Sequence, residues 1–513
     1  MTAPWFTDGV VATPHYLASS AGLRVLADGG NAVDAIVAAN LALGVVAPYY
    51  CGYGGDLLAI VHDGDVHAYR GVGRAPAAAT VETIVERAGT DVMPVLGAHA
   101  VTVPGAVDGW FALLERWGTR TFDELAKIAR RYADEGFTVS AAGAHRLLGC
   151  QQLYRRFPAW SAAYADVAVG TRLRQPGLAR LIDVLATDGA DAYYRGPVAA
   201  AAVDELNAAG SVMARDDFAA HRGEWVEPMG ATFRGVEVLE LPPPTQGVTA
   251  LEALRIADGL ELGRDDVERH HLLIEAMKLA LADRDDHVGD PAAMRIDAGE
   301  LLDDARIAAH RAVIDPARAH RPRPRPGPDG GTAYLCAADR DGLLVSLIQS
   351  NFTAAGSGVH VSDWGLNLHN RGSSFRLDES HVNAIGPAKL PMHTLIPALA
   401  MRDGVPWLVF GSMGAHGQPQ THLQLLVRML VDGDDPQVAI HAPRWRIDPA
   451  TWWVRVESRF DQEMLRCLAD RGHALQIGFA YDDQAGHAHA IECTPGGYRV
   501  GTDPRAEGAA LGI

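Results

Sequence analysis

The chain has 513 residues, of which 48% are hydrophobic and 21% charged, and its formal net charge is −18. This length is sufficient for one large core or for two ordinary domains. The negative charge argues against nucleic acid and against an anionic membrane surface as partners. The sequence contains no uninterrupted run of about 18 or more apolar residues, so it predicts no membrane span.

The first ten residues, MTAPWFTDGV, lack the basic start and the apolar run of a secretory signal. The five cysteines are scattered and include no C-x-x-C pair. This pattern argues against a zinc site and against a disulfide framework. We therefore expect a cytoplasmic protein that has no metal and no cofactor.

The beginning of the chain predicts helices that lead into a buried strand. Residues 18–47 contain two helical runs separated by Gly29-Gly30, and Asn31 can cap the second run. The sequence CGYGGDLLAIV, residues 51–61, predicts a glycine turn followed by a strand.

The middle of the chain predicts mostly helix and ends in an unusual segment. Helical periodicity dominates from Thr121 to Leu260, and residues 265–290 and 305–314 predict further helices. His320 to Asp329 then reads HRPRPRPGPD. Alternating prolines exclude helix and central strand, so we expect this segment to be extended and exposed. Taken alone, it is typical of an interdomain linker.

The pattern changes to strands after Thr332. AYLCAAD and LLVSLIQS, joined by a turn at 340–342, predict a β-hairpin. Residues 395–412 predict a second hairpin, and a helix is predicted over 418–430. A helix-rich first part and a strand-led second part favour one layered body of helices and sheets.

Thr332 follows Gly330-Gly331 and is a candidate nucleophile. A threonine hydroxyl becomes reactive when a base lies within reach, and a free α-amine on the same residue can be that base. An internal threonine has no free amine, so the chain must first be cut before it. Glycine permits the backbone distortion that an N→O acyl shift requires. Because Gly-Gly-Thr also commonly begins a strand, these residues alone leave both interpretations open.

Several motifs occur in a fixed order along the chain. The first part contains DGGNAVDAIVAANLALGVVAPYYCGYGGDLLAIV, VTVPGAVDGW, YYRGPVA and LPPPTQG. The second part contains TAYLCAADRDG, GSGV, NLHNRGSSF, GPAKLPMHTLIP, GSMGAHGQPQ and APRW. Together they resemble the γ-glutamyltranspeptidase family over nearly the whole chain. The resemblance implies an α+β fold, the four-layer αββα sandwich of N-terminal-nucleophile hydrolases.

The resemblance also implies that one precursor cleaves itself into two subunits. Cleavage would occur between Gly331 and Thr332, which makes residues 1–331 the large subunit and 332–513 the small subunit. Residues 320–331 would form a flexible segment before cleavage. Thr332 is then the nucleophile, and Ser350 takes the place of a second hydroxyl that forms a hydrogen bond with it.

The resemblance places the oxyanion hole at Gly414 and Ala415 in GSMGAHG. Their backbone N–H groups would stabilise the negative charge that develops during acyl transfer. Alanine still supplies an N–H group, so Ala415 is acceptable if its backbone does not need a positive φ.

The substrate-binding residues depart from the family pattern. In HNRGSSF, Ser374 stands where the family has an acidic residue that binds an α-ammonium group. A hydroxyl cannot offset that buried charge. Arg371, beside Asn370, adds a positive charge that repels an amine and attracts a carboxylate.

Two other positions depart from the pattern. His393-Thr394 replaces a pair of serines, and Arg70 and Arg74 flank the place of the family's carboxylate-binding arginine. Arg371 is therefore a candidate for the carboxylate, with a surface or interface salt bridge as the alternative. His393 is a candidate substrate contact. The alternative is that His393 is structural, in which case Thr394 would be the substrate contact.

These departures are more similar to a branch of the family that includes oxamate amidohydrolase. We expect a self-processing amidohydrolase that cleaves a small carboxylate-bearing amide through an acyl-enzyme on Thr332. The alternatives are a γ-glutamyl hydrolase or transferase, a hydrolase of C–C bonds that releases an oxalyl-type group, and an inactive binding or scaffold protein. The implied assembly is a heterodimer of the two subunits, or a dimer of such heterodimers, with a small molecule as the substrate.

Overall fold

The computed structural model describes residues 2–263, 266–325 and 327–513. Within these ranges the α-helices, numbered in chain order, are α1 (Tyr16–Ala27), α2 (Ala32–Val46), α3 (Val81–Ala88), α4 (Ala106–Trp117), α5 (Phe122–Glu135), α6 (Ala141–Leu153), α7 (Pro158–Ala163), α8 (Pro176–Asp188), α9 (Ala190–Tyr194), α10 (Pro197–Ala208), α11 (Arg215–Ala219), α12 (Gly247–Asp258), α13 (Asp266–His287), α14 (Asp304–Val313), α15 (Gln418–Val427), α16 (Pro436–His441) and α17 (Gln462–Asp470).

The described residues form two seven-stranded sheets, named here sheet I and sheet II. In spatial order the strands of sheet I are β21 (Ala509–Gly512), β2 (Gly9–Thr13), β10 (Gly331–Asp339), β11 (Leu344–Phe352), β3 (Asp56–His62), β4 (Val66–Gly71) and β7 (Glu224–Val226). Those of sheet II are β1 (Trp5–Phe6), β20 (Gly497–Thr502), β19 (Ala488–Thr494), β15 (Val405–Ser412), β14 (Ala398–Arg402), β9 (Val236–Glu240) and β8 (Met229–Phe233).

Three smaller pairings complete the strands. They are β5 (Phe137–Thr138) with β6 (Arg172–Leu173), β12 (His360–Val361) with β13 (Leu366–Asn367), and β16 (Trp445–Ile447) with β17 (Val454–Val456) and β18 (Leu475–Ile477).

The two sheets pack face to face, and each carries helices on its other side. Between the sheets, Leu58 and Ile348 of sheet I share one core with Leu399 and Ile491 of sheet II. Helices α1 and α2 pack on sheet I, and α12, α13 and α15 pack on sheet II. Burial of each such aliphatic side chain contributes about 1.5–3 kcal/mol. The result is the predicted four-layer αββα sandwich.

Both halves of the chain contribute to sheet I. Strand β10 pairs with β2 on one side and with β11 on the other, and β11 pairs with β3. Strands β2 and β3 precede Thr332, whereas β11 follows it. A break before Thr332 would therefore leave the two pieces joined by backbone hydrogen bonds and by shared cores.

The first predicted elements are confirmed. Helix α2 begins at a capping box in which Asn31 Oδ1 accepts from Asp34 N at 2.9 Å and Asp34 Oδ2 accepts from Asn31 N at 3.1 Å. The glycine turn after α2 reaches β3, as expected. Gly55 is required there, because an added Cβ would lie only 2.4 Å from the carbonyl oxygen of Ser350.

The later predictions are mostly confirmed, with one error. The hairpin of β10 and β11, the hairpin of β14 and β15, and helices α13, α14 and α15 all lie where predicted, although Asp265 lies outside the described residues. The stretch from Thr121 to Leu260 is not helical throughout, since residues 224–240 form β7, β8 and β9. Strands this short carry little periodicity, and the Arg234-Gly235 turn between β8 and β9 was not recognised.

None of the helices in the described part of the chain is long and apolar enough to cross a membrane.

Candidate active site

Three oxygen atoms meet at the start of β10. Thr332 Oγ1 lies 2.6 Å from Gly331 O and 3.3 Å from Ser350 Oγ. The Ser350 hydroxyl donates to the same Gly331 carbonyl at 2.7 Å and accepts from the Phe352 N–H at 2.7 Å. Thr332 and Ser350 are both almost fully buried. The candidate nucleophile, the carbonyl before it and the second hydroxyl are thus brought together as predicted.

A local irregularity in the sheet produces this arrangement. Gly331 is in register with Phe352, but Ala333 is in register with Gln349, so the ladder between β10 and β11 shifts at Thr332. Such a bulge redirects a side chain at the end of a strand. Gly330 lies against the Phe352 ring, where an added Cβ would come within 2.6 Å of Cδ2. Glycine before Thr332 therefore permits close packing on that ring.

The predicted oxyanion loop follows β15. Gly414 has a φ of 130° and Ala415 a φ of 47°. The N–H groups of both residues donate to no other group in the part of the chain that the structure describes. Two adjacent unpaired N–H groups are what a developing oxyanion requires. The condition set for Ala415 is not met, however, because its backbone does adopt a positive φ, at a cost of about 1 kcal/mol.

Arg371 is fully buried in a short 3₁₀ turn, Arg371–Ser374. Its Nη1 donates to Thr394 Oγ1 at 3.1 Å, and its guanidinium carbon lies 3.9 Å from the centre of the Phe352 ring. Nε and Nη2 have no partner among the described residues, and no carboxylate there forms an ion pair with this side chain. Full burial contradicts the alternative of a surface salt bridge, and no carboxylate among the described residues of either predicted subunit forms an interface salt bridge with Arg371.

The electrostatic state of Arg371 reflects this burial. Removal from water lowers the pKa of its guanidinium to about 9, while the charge of Asp56 acts in the opposite direction. A pKa of about 9 leaves the group positively charged at neutral pH. A buried cation with two unused N–H donors is costly unless an anion is bound, so this side chain is suited to bind a carboxylate.

Two neighbours of Arg371 hold its loop. The Ser374 hydroxyl lies 2.9 Å from both Arg371 O and Met392 O. Asn370 accepts from Thr353 N at 2.9 Å and donates to Val95 O at 2.8 Å. Both side chains are buried and bonded to the backbone, so in this state they position the loop around Arg371.

His393 belongs to a buried cluster around Asp56. Its Nε2 lies 3.0 Å from Asp56 Oδ2, and its Nδ1 accepts from Leu395 N. His369 Nδ1 lies 3.4 Å from the same carboxylate oxygen, and all three side chains in the cluster are fully buried. Burial lowers the pKa of His393 to about 3, with a further contribution from Arg371. His393 is therefore neutral, and its ring nitrogens are both engaged.

Asp56 is the charged member of that cluster. Burial opposes its ionisation, but the two imidazoles and Arg371 hold its pKa below the ordinary value. Its other oxygen accepts from the Gly105 N–H at 3.1 Å. Asp56 lies in register with Ser350 across β3 and β11. The carboxylate is thus a buried negative charge that raises the pKa of Arg371.

Gln246 joins the oxyanion loop to the Arg371 region. Its Nε2 donates to Thr394 O at 2.8 Å and to Ala415 O at 2.7 Å. Its Oε1 accepts from Arg284 Nη1, which also lies 3.0 Å from His416 Nδ1. The amide of one glutamine therefore fixes the distance between the two predicted halves of the site.

The two arginines near the family's carboxylate position are engaged elsewhere. Arg70 donates to Pro243 O at 2.5 Å and pairs with Glu224. Arg74 lies 3.4 Å from Glu224 and 3.7 Å from Asp290. Both side chains are therefore already paired with carboxylates, whereas Arg371 has no such partner among the described residues.

Within the described part of the chain, two groups of side chains could hold a metal ion. One consists of His271, Glu275 and His473, and the other of Glu252, Asp283 and His310. In the first, Lys278 Nζ already binds Glu275 at 2.8 Å, and in the second Arg306 binds Asp283. These cations offset Glu275 and Asp283, whereas buried Glu252 has His310 Nε2 at 3.2 Å and no hydrogen bond to its carboxylate among the described residues. Neither group contains a residue of the Thr332 site.

Sequence reasoning missed Asp56, Phe352 and Gln246. Asp56 carried a signal, because it is a charge at the start of an otherwise apolar buried strand. Gln246 lies within the LPPPTQG motif, but no pattern in that motif indicates which groups its amide joins. Phe352 resembles any aromatic residue at the end of a strand.

Comparison with known proteins identifies the class. In a structure of cephalosporin acylase from Bacillus halodurans, the fold matches with a TM-score of 0.95 and 35% identity over 100% of this chain and 97% of that one. The four layers, with the threonine at the start of a central strand, define an N-terminal-nucleophile hydrolase.

The family follows from the sequence. Residues 18–513 match the family model described as gamma-glutamyltranspeptidase. The glutathione hydrolase-like YwrD proenzyme of Bacillus subtilis is 39% identical over 99% of both chains. The oxamate amidohydrolase proenzyme of Klebsiella pneumoniae is 36% identical over 99% of this chain and 98% of its own. The chain belongs to the γ-glutamyltranspeptidase family and is a hydrolase of that family.

Proposed function

We propose that this chain is the precursor of an amidohydrolase that cleaves itself between Gly331 and Thr332. The Thr332 hydroxyl attacks the Gly331 carbonyl, the C–N bond breaks, and the new amine of Thr332 takes the proton. Water then hydrolyses the ester and leaves a free N-terminal threonine. The contacts of Thr332 Oγ1 and Ser350 Oγ with the Gly331 carbonyl support this step.

In turnover, the Thr332 hydroxyl attacks the carbonyl of an amide, and its α-amine accepts the proton as general base. Gly414 and Ala415 donate their free N–H groups to the oxyanion. The amine product leaves, and water hydrolyses the acyl-enzyme. The substrate is proposed to be a small amide whose acyl group carries a carboxylate near the scissile carbonyl.

One observation carries the substrate class: the buried guanidinium of Arg371 has two unused donors and no carboxylate partner among the described residues. A bound carboxylate would satisfy both donors in a bidentate pair. Thr394 Oγ1 accepts from a third nitrogen of the same guanidinium. The printed activity of the Klebsiella relative, oxamate amidohydrolase, agrees with this chemistry.

γ-Glutamyl hydrolysis is the second candidate, and the name of the Bacillus subtilis relative favours it. It requires an anion for the substrate ammonium group. Ser374 offers only a hydroxyl that contacts two backbone carbonyls, and Asp56 is enclosed by two imidazoles. The positive charge of Arg371 would oppose an ammonium group.

The test compares oxamate with γ-glutamyl p-nitroanilide as substrates of the cleaved enzyme. We expect hydrolysis of oxamate, and a loss of about a hundredfold in kcat/KM for Arg371→Met. Methionine keeps much of the packing on Phe352 and removes the charge. Arg74→Met is the matched control and should have little effect. Preference for the γ-glutamyl compound, or full activity of Arg371→Met, would overturn the assignment.

The subunits are proposed to remain associated as a heterodimer, because β10 and β11 pair with strands of the other piece. A cytoplasmic location is supported by five cysteines that are all unpaired.

A further inference from the structure

The segment before Thr332, residues 328–331, is held in part by the guanidinium of Arg446. Asp329 Oδ2 lies 2.5 Å from Arg446 Nη2. The backbone carbonyl of Asp329 accepts from Thr353 Oγ1 at 2.7 Å, and Pro328 O lies 3.0 Å from His416 Nε2. These contacts fix the segment against the oxyanion loop, so the acid of Asp329 has a defined place in the site.

Arg446 lies in β16 and packs against the end of the oxyanion loop. Its side chain is 11% exposed and lies across Gly417, where an added Cβ would be 3.3 Å from Arg446 Cδ. Nη1 donates to Gln484 O at 3.3 Å, and the buried Nε has no partner among the described residues. Its guanidinium is therefore fixed in position, and one of its donors is unused.

A cavity of about 460 Å³ lies beside Arg446. Its charged lining residues other than Arg446 are Asp329, Asp448 and Arg455. Asp448 accepts from Ala450 N and Thr451 Oγ1, and Arg455 pairs with Asp482 at 2.6 Å. Among the described residues, Asp329 provides the one carboxylate that pairs with Arg446.

The chemistry of self-cleavage connects this pair to the substrate. The N→O shift makes an ester between the Gly331 carbonyl and Thr332 Oγ, which water then hydrolyses. Turnover makes the same bond between the substrate acyl group and the same oxygen. The chain that ends Asp329-Gly330-Gly331 is therefore the first acyl group that the site processes, and residues that contact it also contact later acyl groups.

We propose that Arg446 and the cavity beside it form a second anion-binding subsite, which takes an acidic group at the far end of the substrate's acyl part. Asp329 occupies this subsite in the uncleaved chain and remains tethered as a competing product after cleavage. The second acid would lie about two residues, or about 7 Å, along the acyl chain from the scissile carbonyl. This inference rests on the proposed self-cleavage and extends the substrate class to amides of dicarboxylic acyl groups.

The test uses two peptides, acetyl-Asp-Gly-Gly and acetyl-Asn-Gly-Gly, both with a free C-terminal carboxylate. Calorimetry measures their binding to cleaved enzyme that carries Asp329→Asn, which frees Arg446. We expect the Asp peptide to bind at least about tenfold more tightly than the Asn peptide. In the double variant with Arg446→Gln this preference should disappear, and in the double variant with Arg446→Lys part of it should return.

The control is Arg499→Gln in the Asp329→Asn background, because Arg499 of β20 pairs with Glu492 of β19 in sheet II. It should leave the tenfold preference intact. Equal binding of the two peptides, or a preference that survives Arg446→Gln, would overturn the subsite. Calorimetry needs no turnover, so this failure is distinct from a lack of oxamate hydrolysis. A chain that never cleaves would overturn both proposals. A denaturing gel identifies that case, because the uncleaved chain runs as a single band.

Discussion

The guanidinium carbon of Arg371 lies 3.9 Å from the centre of the Phe352 ring. The same ring packs against Gly330, just before the candidate cleavage position. One aromatic side chain therefore separates the buried cation from the reacting part of the chain. Phe352 has a φ of 71°, which costs a bulky residue about 1–2 kcal/mol. The surrounding packing must maintain this placement, which is typical of residues at functional sites.

Phe352→Leu should weaken substrate binding at Arg371 without removing the charge of that side chain. The cation–π contact stabilises a buried guanidinium by about 0.5–2 kcal/mol, so we expect KM for oxamate to rise about two- to thirtyfold. The change in kcat should be smaller, because the nucleophile is untouched. Steady-state kinetics checks this, with Phe460→Leu, in the turn before α17 and in the core beside sheet II, as control. An unchanged KM would contradict the role of the ring.

Ala415→Gly tests the positive φ of the oxyanion loop. Glycine removes a left-handed strain of about 1 kcal/mol, which offsets its greater entropy in the unfolded chain. We expect the free energy of unfolding to stay within about 0.5 kcal/mol of the parent. Ala201→Gly, in the middle of α10, should instead lose about 1 kcal/mol. Urea unfolding of both in a Thr332→Ala background makes the comparison, and equal losses would contradict the strain.

Asp56→Asn tests the negative charge that raises the pKa of Arg371. Asp56 holds the pKa of Arg371 up against burial, which alone would lower it below about 9. Without that charge, Arg371 should lose its proton at a lower pH. The rise of KM for oxamate on the alkaline side should therefore begin at a lower pH than in the parent. Glu224→Gln, at a half-buried carboxylate paired with Arg70 and Arg74, is the control. Coincident KM–pH profiles for Asp56→Asn and the parent would refute this effect.

Buried histidines should make the fold sensitive to acid. Seven have pKa values lowered to between about 2 and about 4, mainly by burial, namely His15, His270, His393, His416, His422, His473 and His489. Between about pH 6.5 and about pH 4 the unfolded chain binds protons that these folded residues do not, so stability falls as pH falls.

Three groups act in the opposite direction. Burial raises the pKa values of Glu240 and Glu252 well above the ordinary value, and the Asp283 and Glu252 carboxylates raise the pKa of His310 to about 9, so all three bind protons more readily in the folded state. Seven histidines outweigh these three groups, and the net effect remains a loss of stability in acid. Urea unfolding of Thr332→Ala from about pH 7 to about pH 4.5 measures it. Stability that is constant or rises over this range would contradict the neutral histidines.

Much of the fold could be predicted from local pattern. The Asn31 cap, the apolar run of α2 and the two hairpins after Thr332 are encoded by neighbouring residues. Residues 224–240 were not recognised, because β7, β8 and β9 are short and obtain their stability from sheet partners distant in sequence.

The sequence named the candidate site residues but not their contacts. Motif order suggested Thr332, Ser350 and Arg371, and the structure brings Thr332 and Ser350 together. Motif order gave no information on burial, which leaves Arg371 without a carboxylate partner among the described residues. The positive φ of Ala415 also depends on the tertiary structure of its loop. Asp56 and Gln246 act through partners more than a hundred residues away, which no local pattern reports.

The most direct measurement is the intact mass and N-terminal sequence of the purified protein. We predict two chains, one ending at Gly331 and one beginning at Thr332, from the 54.7 kDa precursor. Thr332→Ala should remain a single chain, Thr332→Ser should still cleave, and Ser350→Ala should cleave more slowly. A parent protein that stays intact, or a cut at any other bond, would contradict the assignment of Thr332 as a self-released nucleophile.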